Sequence, residues 1–261
     1  MNPSCPSRSS TADRRHRRGD TTMKKVLVLG ACGNIGPFIT PGLEEDYDLT
    51  LSDIIPHPGG APTIHVDVTG YEQVRDAARG MDAIINLTVI RPDPVHSFHV
   101  NVRGALNTMK AAAEHGIKKV LHTGPQQIRG TRYDHDFDID DPPHMPGTGY
   151  YFLTKHLSNE VCRTYAREHD ITTLCFLFNG LGARPTQHVT GRDFPPFTIV
   201  WEDLQQACRL ALEIESVPHN YQEFDLHSYL AQGKYSIDKA RRILGYEPLM
   251  RVEDFYRRPT S

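Results

Sequence analysis

The stretch LGACGNIG, Leu29 to Gly36, spaces three glycines as G-x-x-G-x-x-G, at Gly30, Gly33 and Gly36. It lies between a predicted strand and a predicted helix. This spacing provides a tight turn, then a backbone without a Cβ where a pyrophosphate approaches, then close packing of the helix on the sheet. The stretch therefore predicts a dinucleotide-binding loop. The alternative is a glycine-rich turn that packs the same kind of sheet without a nucleotide.

The start of the first helix and the end of the second strand complete this predicted site. Asn34 and Ile35 lie where free N–H groups and the helix dipole favour a phosphate. Asp53 follows Gly33 by 20 residues, and a carboxylate there can accept hydrogen bonds from both ribose hydroxyls. The segment SDIIPHPGG that contains Asp53 has no Lys or Arg for a 2′-phosphate. NAD is therefore predicted over NADP. Asp67 lies at the end of the third predicted strand. Its two alternative roles are a contact with the edge of the adenine and capping of the following turn.

The pattern of apolar residues predicts an α/β fold, a Rossmann-like doubly wound parallel sheet with a small C-terminal substrate-binding part. From Met23, short apolar runs alternate with amphipathic stretches. We expect an NAD-binding domain over 23–182 and a substrate-binding part over 183–261 packed on it. Pro41 predicts a kink in the first helix. The predicted strands are KKVLVLG (24–30), YDLTLSD (47–53), TIHVDV (63–68), DAIINLTVI (82–90), KKVLHTG (118–124) and ITTLCFLFN (171–179), with a helix at about 201–214 and a strand at about 221–226.

Composition excludes several classes of protein. With 38% hydrophobic and 23% charged residues the chain is an ordinary globular one, and it has no apolar run of the roughly 18 residues that span a membrane. The net charge is −3, with +3 in residues 1–22 and −6 in the rest, so the body is not expected to bind nucleic acid. The tail 1–22 is predicted to be disordered. Five scattered cysteines predict neither a disulfide framework nor a zinc site and favour the cytoplasm.

The segment YFLTK places Tyr151 and Lys155 four residues apart, on one face of a predicted helix. A phenol near an ammonium and a nicotinamide cation has its ionised form favoured, so we expect the pKa of Tyr151 to fall toward the working pH. Such a tyrosine can exchange a proton with a substrate oxygen while hydride moves to or from the nicotinamide.

These elements resemble the extended short-chain dehydrogenases/reductases of the NAD-dependent epimerase/dehydratase family, over about 24–257. The resemblance implies that Tyr151 and Lys155 are the catalytic pair and that Asn101 lies near them. It also implies a homodimer, as do the two long helices from about 100 and 150, whose apolar faces predict a four-helix bundle. The matching segments are GACGNIG, Asp53, Asp67-Val68, NLT (Asn86, Leu87 and Thr88, lining the cleft), NVRGALN (101–107), YFLTK (151–155) and SIDKARRILGYEP (236–248).

One departure from the family concerns the residue that orients the substrate. In the family, strand five ends in a serine five residues before a glycine, and here that position is Pro125. A proline side chain neither donates nor accepts a hydrogen bond. Thr123, Gln126 or Gln127 can take over this role, with Thr123 and Gln126 ranked equal.

The substrate is expected to be small, because only 79 residues follow Gly182. This short C-terminal part resembles that of the uronate dehydrogenases of the family. Arg91, Arg184 and Arg192 are candidates to bind a carboxylate, with a solvated surface cation as the alternative for each, and Asn179 is a further substrate candidate. The predicted function is an NAD-dependent oxidoreductase or epimerase acting on a small sugar, polyol or sugar acid. A catalytically silent NAD-binding sensor or scaffold and a nucleotide-sugar epimerase/dehydratase remain as alternatives.

No metal site is predicted from the fourteen histidines. His96 and His99 form the one close pair considered, and they lack cysteine or carboxylate partners that would make a site. The acidic run beginning at Asp134 has Ile139 where a calcium loop needs glycine, so a solvated loop at the mouth of the cleft is expected instead.

Overall fold

The computed structural model describes residues 23–130, 142–190, 194–195, 197–228, 235–250 and 252–255. The predicted disordered tail 1–22, the acidic run beginning at Asp134, and Arg192 lie outside these residues.

The strands form one large parallel sheet and one small pair. The order in the large sheet is β3-β2-β1-β4-β5-β6-β9, and β7 pairs with β8. Every strand pairing is parallel. The doubly wound parallel sheet expected from the sequence is therefore confirmed. The strands are β1 (Lys25–Leu29), β2 (Asp48–Asp53), β3 (Ile64–His65), β4 (Ala83–Asn86), β5 (Lys119–Pro125), β6 (Thr172–Phe178), β7 (Gly180–Gly182), β8 (Thr198–Val200) and β9 (Tyr221–Asp225).

Strands β3 and β4 are shorter than predicted by four and five residues, and a side chain forms the turn after each of them. Beyond β3, the carboxylate of Asp67 accepts from the backbone N–H of Thr69 at 2.9 Å and forms a turn. Beyond β4, the side-chain oxygen of Asn86 accepts from the N–H of Thr88 at 3.1 Å. The apolar residues after Asn86 therefore follow a loop along the carboxyl edge of the sheet.

The helices lie on both faces of the sheet. The prediction of an irregular first helix at Pro41 is confirmed, since α1 gives way to a 3-10 turn at Thr40–Gly42. Gly80 and Gly116 have φ of +74° and +69°, as expected of glycines that end helices. The helices are α1 (Gly36–Ile39), α2 (Tyr71–Ala78), α3 (Pro94–Ser97), α4 (Gly104–Glu114), α5 (Tyr150–Glu168) and α6 (Trp201–Glu213), with π-helical turns at Phe98–Arg103 and Ala240–Leu244 and 3-10 turns at Gln126–Arg129, Pro218–Asn220 and Val252–Phe255.

The alternation of side chains along each strand builds two cores. In β1, Val26 and Val28 belong to the core shared with α1 and α6, while Leu27 and Leu29 belong to the core shared with α2, α4 and α5. Because both faces are covered, the strand reads as a continuous apolar run.

The C-terminal residues belong to the same sheet as the nucleotide half. Strand β9 pairs with β6, and Phe38 of α1 stacks on Trp201 of α6 with ring centroids 4.4 Å apart. A boundary at residue 182 would therefore cut through the large sheet, with β9 on its C-terminal side. In the ranges that the structure describes, no helix has both the length and the apolar character needed to cross a bilayer.

Candidate functional site

The glycine loop lies between β1 and α1, beside the point where the strand order reverses from β1 to β4. Gly30 has φ of +77°, and a Cβ there would lie 2.9 Å from the backbone nitrogen of Thr88. At Gly36 a Cβ would lie 2.1 Å from the carbonyl oxygen of Ala31. At Gly33, by contrast, a Cβ would meet among the described residues just the Gly30 oxygen, at an ordinary contact distance of 3.5 Å. Two glycines thus allow close packing, and the third leaves an open surface.

The first turn of α1 is accessible from the crevice. Asn34 is exposed and Ile35 is partly buried. Among the described residues, no side chain caps this turn. Phe38 and Ile39 donate their N–H groups to the Ile35 carbonyl, and Pro37 has none. An anion at this turn would therefore be bound by the N–H groups of residues 34–36.

Asp53 ends β2 and is tied to the glycine loop. One carboxylate oxygen accepts from the N–H of Cys32 at 2.9 Å, and the other accepts from the N–H of Ile54 at 2.7 Å. The carboxylate is partly exposed. These bonds hold it at the edge of the crevice with acceptor positions to spare, because a carboxylate has about four lone-pair sites.

Of the two roles considered for Asp67, the structure displays the turn-capping one through Thr69. Val68 is 5% exposed, and its carbonyl accepts from the amide of Asn107 at 2.8 Å. A Cβ at Gly104 would lie 2.8 Å from a methyl of Val68. Glycine there lets α4 approach the segment after β3.

The end of β4 forms the centre of the crevice floor. The side-chain oxygen of Asn86, which is 1% exposed, also accepts from the hydroxyl of Thr88 at 2.7 Å. Leu87 donates its N–H to the carbonyl of Leu29 at 2.9 Å, which holds this segment against β1. Thr88 is partly exposed and lies against Gly30. Thr88 is thus the member of NLT that is partly exposed beside the glycine loop, and Asn86 and Leu87 are buried beneath it.

Asn101 joins the loop after β4 to helix α5. Its side-chain oxygen accepts from the N–H of Ile90 at 2.9 Å. Its amide nitrogen donates to the Ile90 carbonyl at 2.8 Å and to the Thr154 hydroxyl at 2.9 Å. Asn101 is 1% exposed and sits in the π-helical turn before α4. Its amide fixes the position of α5, which carries the predicted catalytic pair.

Lys155 is buried without a hydrogen-bond partner for its amine. The residue is 2% exposed, and its Nζ contacts no acceptor among the residues described. Burial lowers the pKa of Lys155 to about 8. The backbone beneath it is braced, since Ser158 donates to the Lys155 carbonyl at 2.8 Å and lies 3.0 Å from a ring nitrogen of His122. An unpaired buried amine is costly, so its position calls for a partner that binds there.

Tyr151 lies in the first turn of α5 under the guanidinium of Arg91, whose carbon is 5.0 Å from the centroid of the tyrosine ring. Burial raises the pKa of Tyr151, and Arg91 opposes this rise through its charge and a hydrogen bond. The lowered pKa expected from the sequence includes the charge of a bound nicotinamide; in the protein alone, burial outweighs the nearby cation. The cation beside the phenol is Arg91, which the sequence indicated only as a carboxylate ligand.

The residues considered as replacements for the missing serine lie in different environments. Thr123 is 7% exposed and donates to the Asn86 carbonyl at 3.5 Å. Gln126, ranked equal to Thr123 in the sequence analysis, is fully buried. Gln127 is partly exposed and hydrogen-bonds to Asn179, which is exposed at the end of β6.

Gln126 belongs instead to a buried group of charges that the sequence did not indicate. Arg129 lies 3.5 Å from carboxylate oxygens of both Glu223 and Asp225. Burial raises the pKa of Asp225, and Arg129 and Gln126 oppose the rise. These groups are separated by almost a hundred residues, so only the pairing of β9 with β6 brings them together. They brace the turn that presents Gln127.

Of the three arginines proposed as carboxylate ligands, two lie among the described residues. Arg91 and Arg184 are both exposed. His96 has a carboxylate partner that the sequence analysis did not indicate, since it pairs with Asp93 at 3.0 Å at the exposed start of α3.

Known proteins are similar to this chain in sequence and in fold. The family model described as "NAD dependent epimerase/dehydratase family" matches residues 26–198. The NAD-dependent glucose-6-phosphate dehydrogenase of Haloferax volcanii is 26% identical over 85% of this chain and 92% of its own length. A uronate dehydrogenase of Pseudomonas putida is 29% identical over 59% of this chain and 60% of its own. A solved variant of Agrobacterium tumefaciens uronate dehydrogenase, complexed with NAD, has a TM-score of 0.75 at 18% identity, covering 90% of this chain and 88% of that one.

Proposed function

Because the chain belongs to the NAD-dependent epimerase/dehydratase family, we propose that it is an NAD-dependent dehydrogenase of a small sugar or sugar acid. The observation that carries this proposal is the pair Tyr151 and Lys155 on the first two turns of α5, with the amine of Lys155 buried and lacking a partner among the described residues. A protein that had lost its catalytic activity would have no reason to keep a buried, unpaired amine, which lowers the stability of the fold.

The residues present fit NAD. Open space at Gly33 and the uncapped first turn of α1 suit a pyrophosphate. Asp53 offers acceptors to the adenine-side ribose and would repel a 2′-phosphate. The unpaired Nζ of Lys155 suits the hydroxyls of the nicotinamide ribose. The remaining members of the proposed cofactor site are Gly30, Asn34, Ile35, Gly36, Asp67, Val68, Asn86, Leu87, Thr88, Asn101 and Tyr151.

The chain's own part in the chemistry is proton transfer. NAD, when bound, supplies the acceptor for the hydride that leaves the substrate carbon. Tyr151 takes the proton of the hydroxyl on that carbon, so that a carbonyl forms. Arg91, above the ring, and Lys155, one turn along the helix, favour the phenolate that accepts this proton.

The substrate side is assigned by charge and exposure. Arg91 is exposed beside Tyr151, where a guanidinium can bind a carboxylate or phosphate through paired hydrogen bonds. Gln127 and Asn179 are joined at the carboxyl edge of the sheet and are accessible, and Thr123 is 7% exposed. We assign orientation of the substrate to Thr123 and Gln127 rather than to the buried Gln126. Arg192 stays a candidate, as does a substrate-binding role for 183–261.

A screen for NADH formation tests the proposal. The purified chain is mixed with NAD and with uronates, neutral aldoses, aldose phosphates, polyols and nucleotide sugars in turn. We expect absorbance of NADH with an anionic or neutral sugar and none with nucleotide sugars. Tight NADH binding without turnover on any of these would favour the silent NAD-binding protein instead, as the proline at position 125 suggests. Conversion of a nucleotide sugar without net NADH would favour the epimerase alternative.

Asp53 gives a second prediction, on cofactor choice. We expect Asp53→Asn to lower the ratio of kcat/KM for NAD to kcat/KM for NADP by about tenfold or more. The carboxylate of Asp53 repels a 2′-phosphate, and loss of this repulsion in the neutral amide corresponds to roughly 1.4 kcal/mol or more. The matched control is Asp48→Asn, at the exposed start of the same strand. An unchanged ratio in Asp53→Asn, or an equal change in both variants, contradicts the assignment.

Assembly and location complete the proposal. Helices α4 and α5 lie side by side on one face of the sheet, and Leu106 and Tyr150 are 38% and 50% exposed there. These side chains support a homodimer through a four-helix bundle. The four cysteines that the structure describes are buried and free, which supports a cytoplasmic location.

A further inference from the structure

A pocket of about 320 Å³ runs along a face of α5 that the proposed dehydrogenase site does not use. His156, Glu160 and Arg163 line it from the helix, and His144 closes it from the segment before the helix. Glu223 of β9 lies at its base. His156 and Glu160 are four residues apart, so both point to the same side of α5.

Two histidines in this pocket hold their ring nitrogens against each other. Nδ1 of His144 lies 2.8 Å from Nδ1 of His156, and Nε2 of His144 lies 2.8 Å from a carboxylate oxygen of Glu223.

In the tautomer of His144 that donates from Nε2 to Glu223, Nδ1 is the nitrogen that presents a lone pair to His156. Two basic nitrogens at this separation share either a proton or a metal ion.

We propose that His144, His156 and Glu160 bind a divalent metal ion of the zinc type. Each of the three offers one ligand atom, and these atoms all lie within 4.8 Å of one another. With bonds of about 2.0–2.2 Å, the ligands of a tetrahedral zinc site are roughly 3.3–3.6 Å apart. Small rotations of the three partly buried side chains reach that geometry. A water from the pocket supplies the fourth ligand.

The contacts around the three ligands match those of metal sites. Histidine ligands commonly donate their second ring N–H to a carboxylate, and Glu223 occupies that position for His144. Two imidazoles and one carboxylate favour zinc or another late transition metal over magnesium or calcium, which prefer oxygen ligands. Arg163 pairs with both Glu160 and Glu223, at 3.2 and 3.1 Å. It orients the carboxylates and offsets part of their charge.

An ion here would fasten the segment before α5 to the helix itself. His144 precedes the helix start at Tyr150 by six residues, while His156 and Glu160 lie in its second and third turns. The site is therefore structural and adjoins the catalytic turn without belonging to it. Metal binding is expected to raise the Tm, since an ion that binds only the folded chain stabilises it.

The test is calorimetric titration of the full, metal-stripped chain with Zn²⁺, and visible spectroscopy with Co²⁺. We expect one Zn²⁺ per chain and the d–d absorption of tetrahedral Co²⁺. His144→Gln and His156→Gln should each weaken Zn²⁺ binding by more than the roughly 10- to 100-fold that loss of an outer partner costs. The matched control is His169→Gln, at the other end of α5, with binding unchanged.

A variant with a different metal ligand at the same position tests whether misfolding explains the lost Zn²⁺ binding. His156→Cys replaces an imidazole by a thiolate, so it should retain Zn²⁺ and add a sulfur-to-metal charge-transfer band with Co²⁺. No stoichiometric Zn²⁺ binding by the wild-type chain overturns the proposal. Equal Zn²⁺ affinity in the wild type, His144→Gln and His156→Gln also overturns it, because the ion then binds elsewhere.

Discussion

Tyr151→Phe is expected to lower kcat by about 10²- to 10⁴-fold, which is the usual contribution of a positioned acid or base, while NAD binds as tightly as before. The reason is that only the phenolic oxygen is removed. The ring stays under Arg91, 5.0 Å from its guanidinium carbon, and keeps its place in the first turn of α5. The measurement is initial rates of NADH formation with the best substrate of the screen, together with the Kd for NAD from titration.

The control for this variant is the neighbouring tyrosine. Tyr150 starts the same helix and is 50% exposed, so Tyr150→Phe should leave both kcat and Kd unchanged. A Tyr151→Phe protein that turns over at the wild-type rate rules out the acid/base assignment. Loss of rate in both variants points to disturbance of the helix start instead.

The pH dependence of kcat/KM tests the same role of Tyr151. Burial raises the pKa of Tyr151 and Arg91 opposes the rise. Oxidation needs the ionised phenol, so kcat/KM should increase with pH along a limb set by this group. Arg91→Met should move that limb to higher pH, because the charge that favours the phenolate is gone. If Arg91→Met leaves this limb of the pH profile at the same pH, the limb reports the titration of a group other than Tyr151.

The part of this site that follows from local spacing was predictable from the sequence. Gly30, Gly33 and Gly36 fall within one turn between a strand and a helix, and Asp53 ends the next strand, so short-range geometry fixes their relation. The same holds for Tyr151 and Lys155 on one helix. Each of these predictions concerns residues on one element or on neighbouring strands.

The rest of the site depends on contacts between distant segments. Arg91 reaches Tyr151 across 60 residues because Asn101 fastens the loop after β4 to α5. Gln126 is buried beside Asp225 because β9 joins the sheet next to β6. Hydrophobic periodicity predicts neither the path of a loop nor the order of the strands in a sheet. For a polar residue at the end of a strand, the sequence does not show whether the side chain faces the cleft or the core.

Lys155→Met is expected to remove turnover and to make the unliganded protein more stable at pH 7. The pKa of Lys155 is lowered by burial to about 8, against about 10.4 in an unfolded chain. A difference of this size corresponds to roughly 3 kcal/mol, which is the cost of keeping the amine charged in its buried position. Methionine has a similar length and no charge, so the variant should recover much of this free energy of unfolding. The measurement is urea unfolding without NAD.

The sign of the pH dependence follows from the same values. Below about pH 8 the amine is protonated in both states and the full cost is present. Between about pH 8 and 10.5 the unfolded chain binds more protons than the folded one, so the contribution of Lys155 to stability rises with pH. The stability advantage of Lys155→Met should therefore shrink over this range. Lys118→Met, at an exposed lysine just before β5, should show neither the advantage nor its pH dependence.

NAD should reduce the stability advantage of Lys155→Met over the wild type. In the wild type the amine gains ribose oxygens as partners, and ligand bound only to the folded state adds stability in proportion to the logarithm of its concentration over Kd. Lys155→Met lacks that contact, so saturating NAD should raise its Tm by less than it raises that of the wild type. A variant that is less stable than the wild type without NAD, or equally stabilised by it, contradicts a cofactor role for the amine. The buried lysine is thus expected to cost the free protein stability for the sake of a partner that arrives with the cofactor.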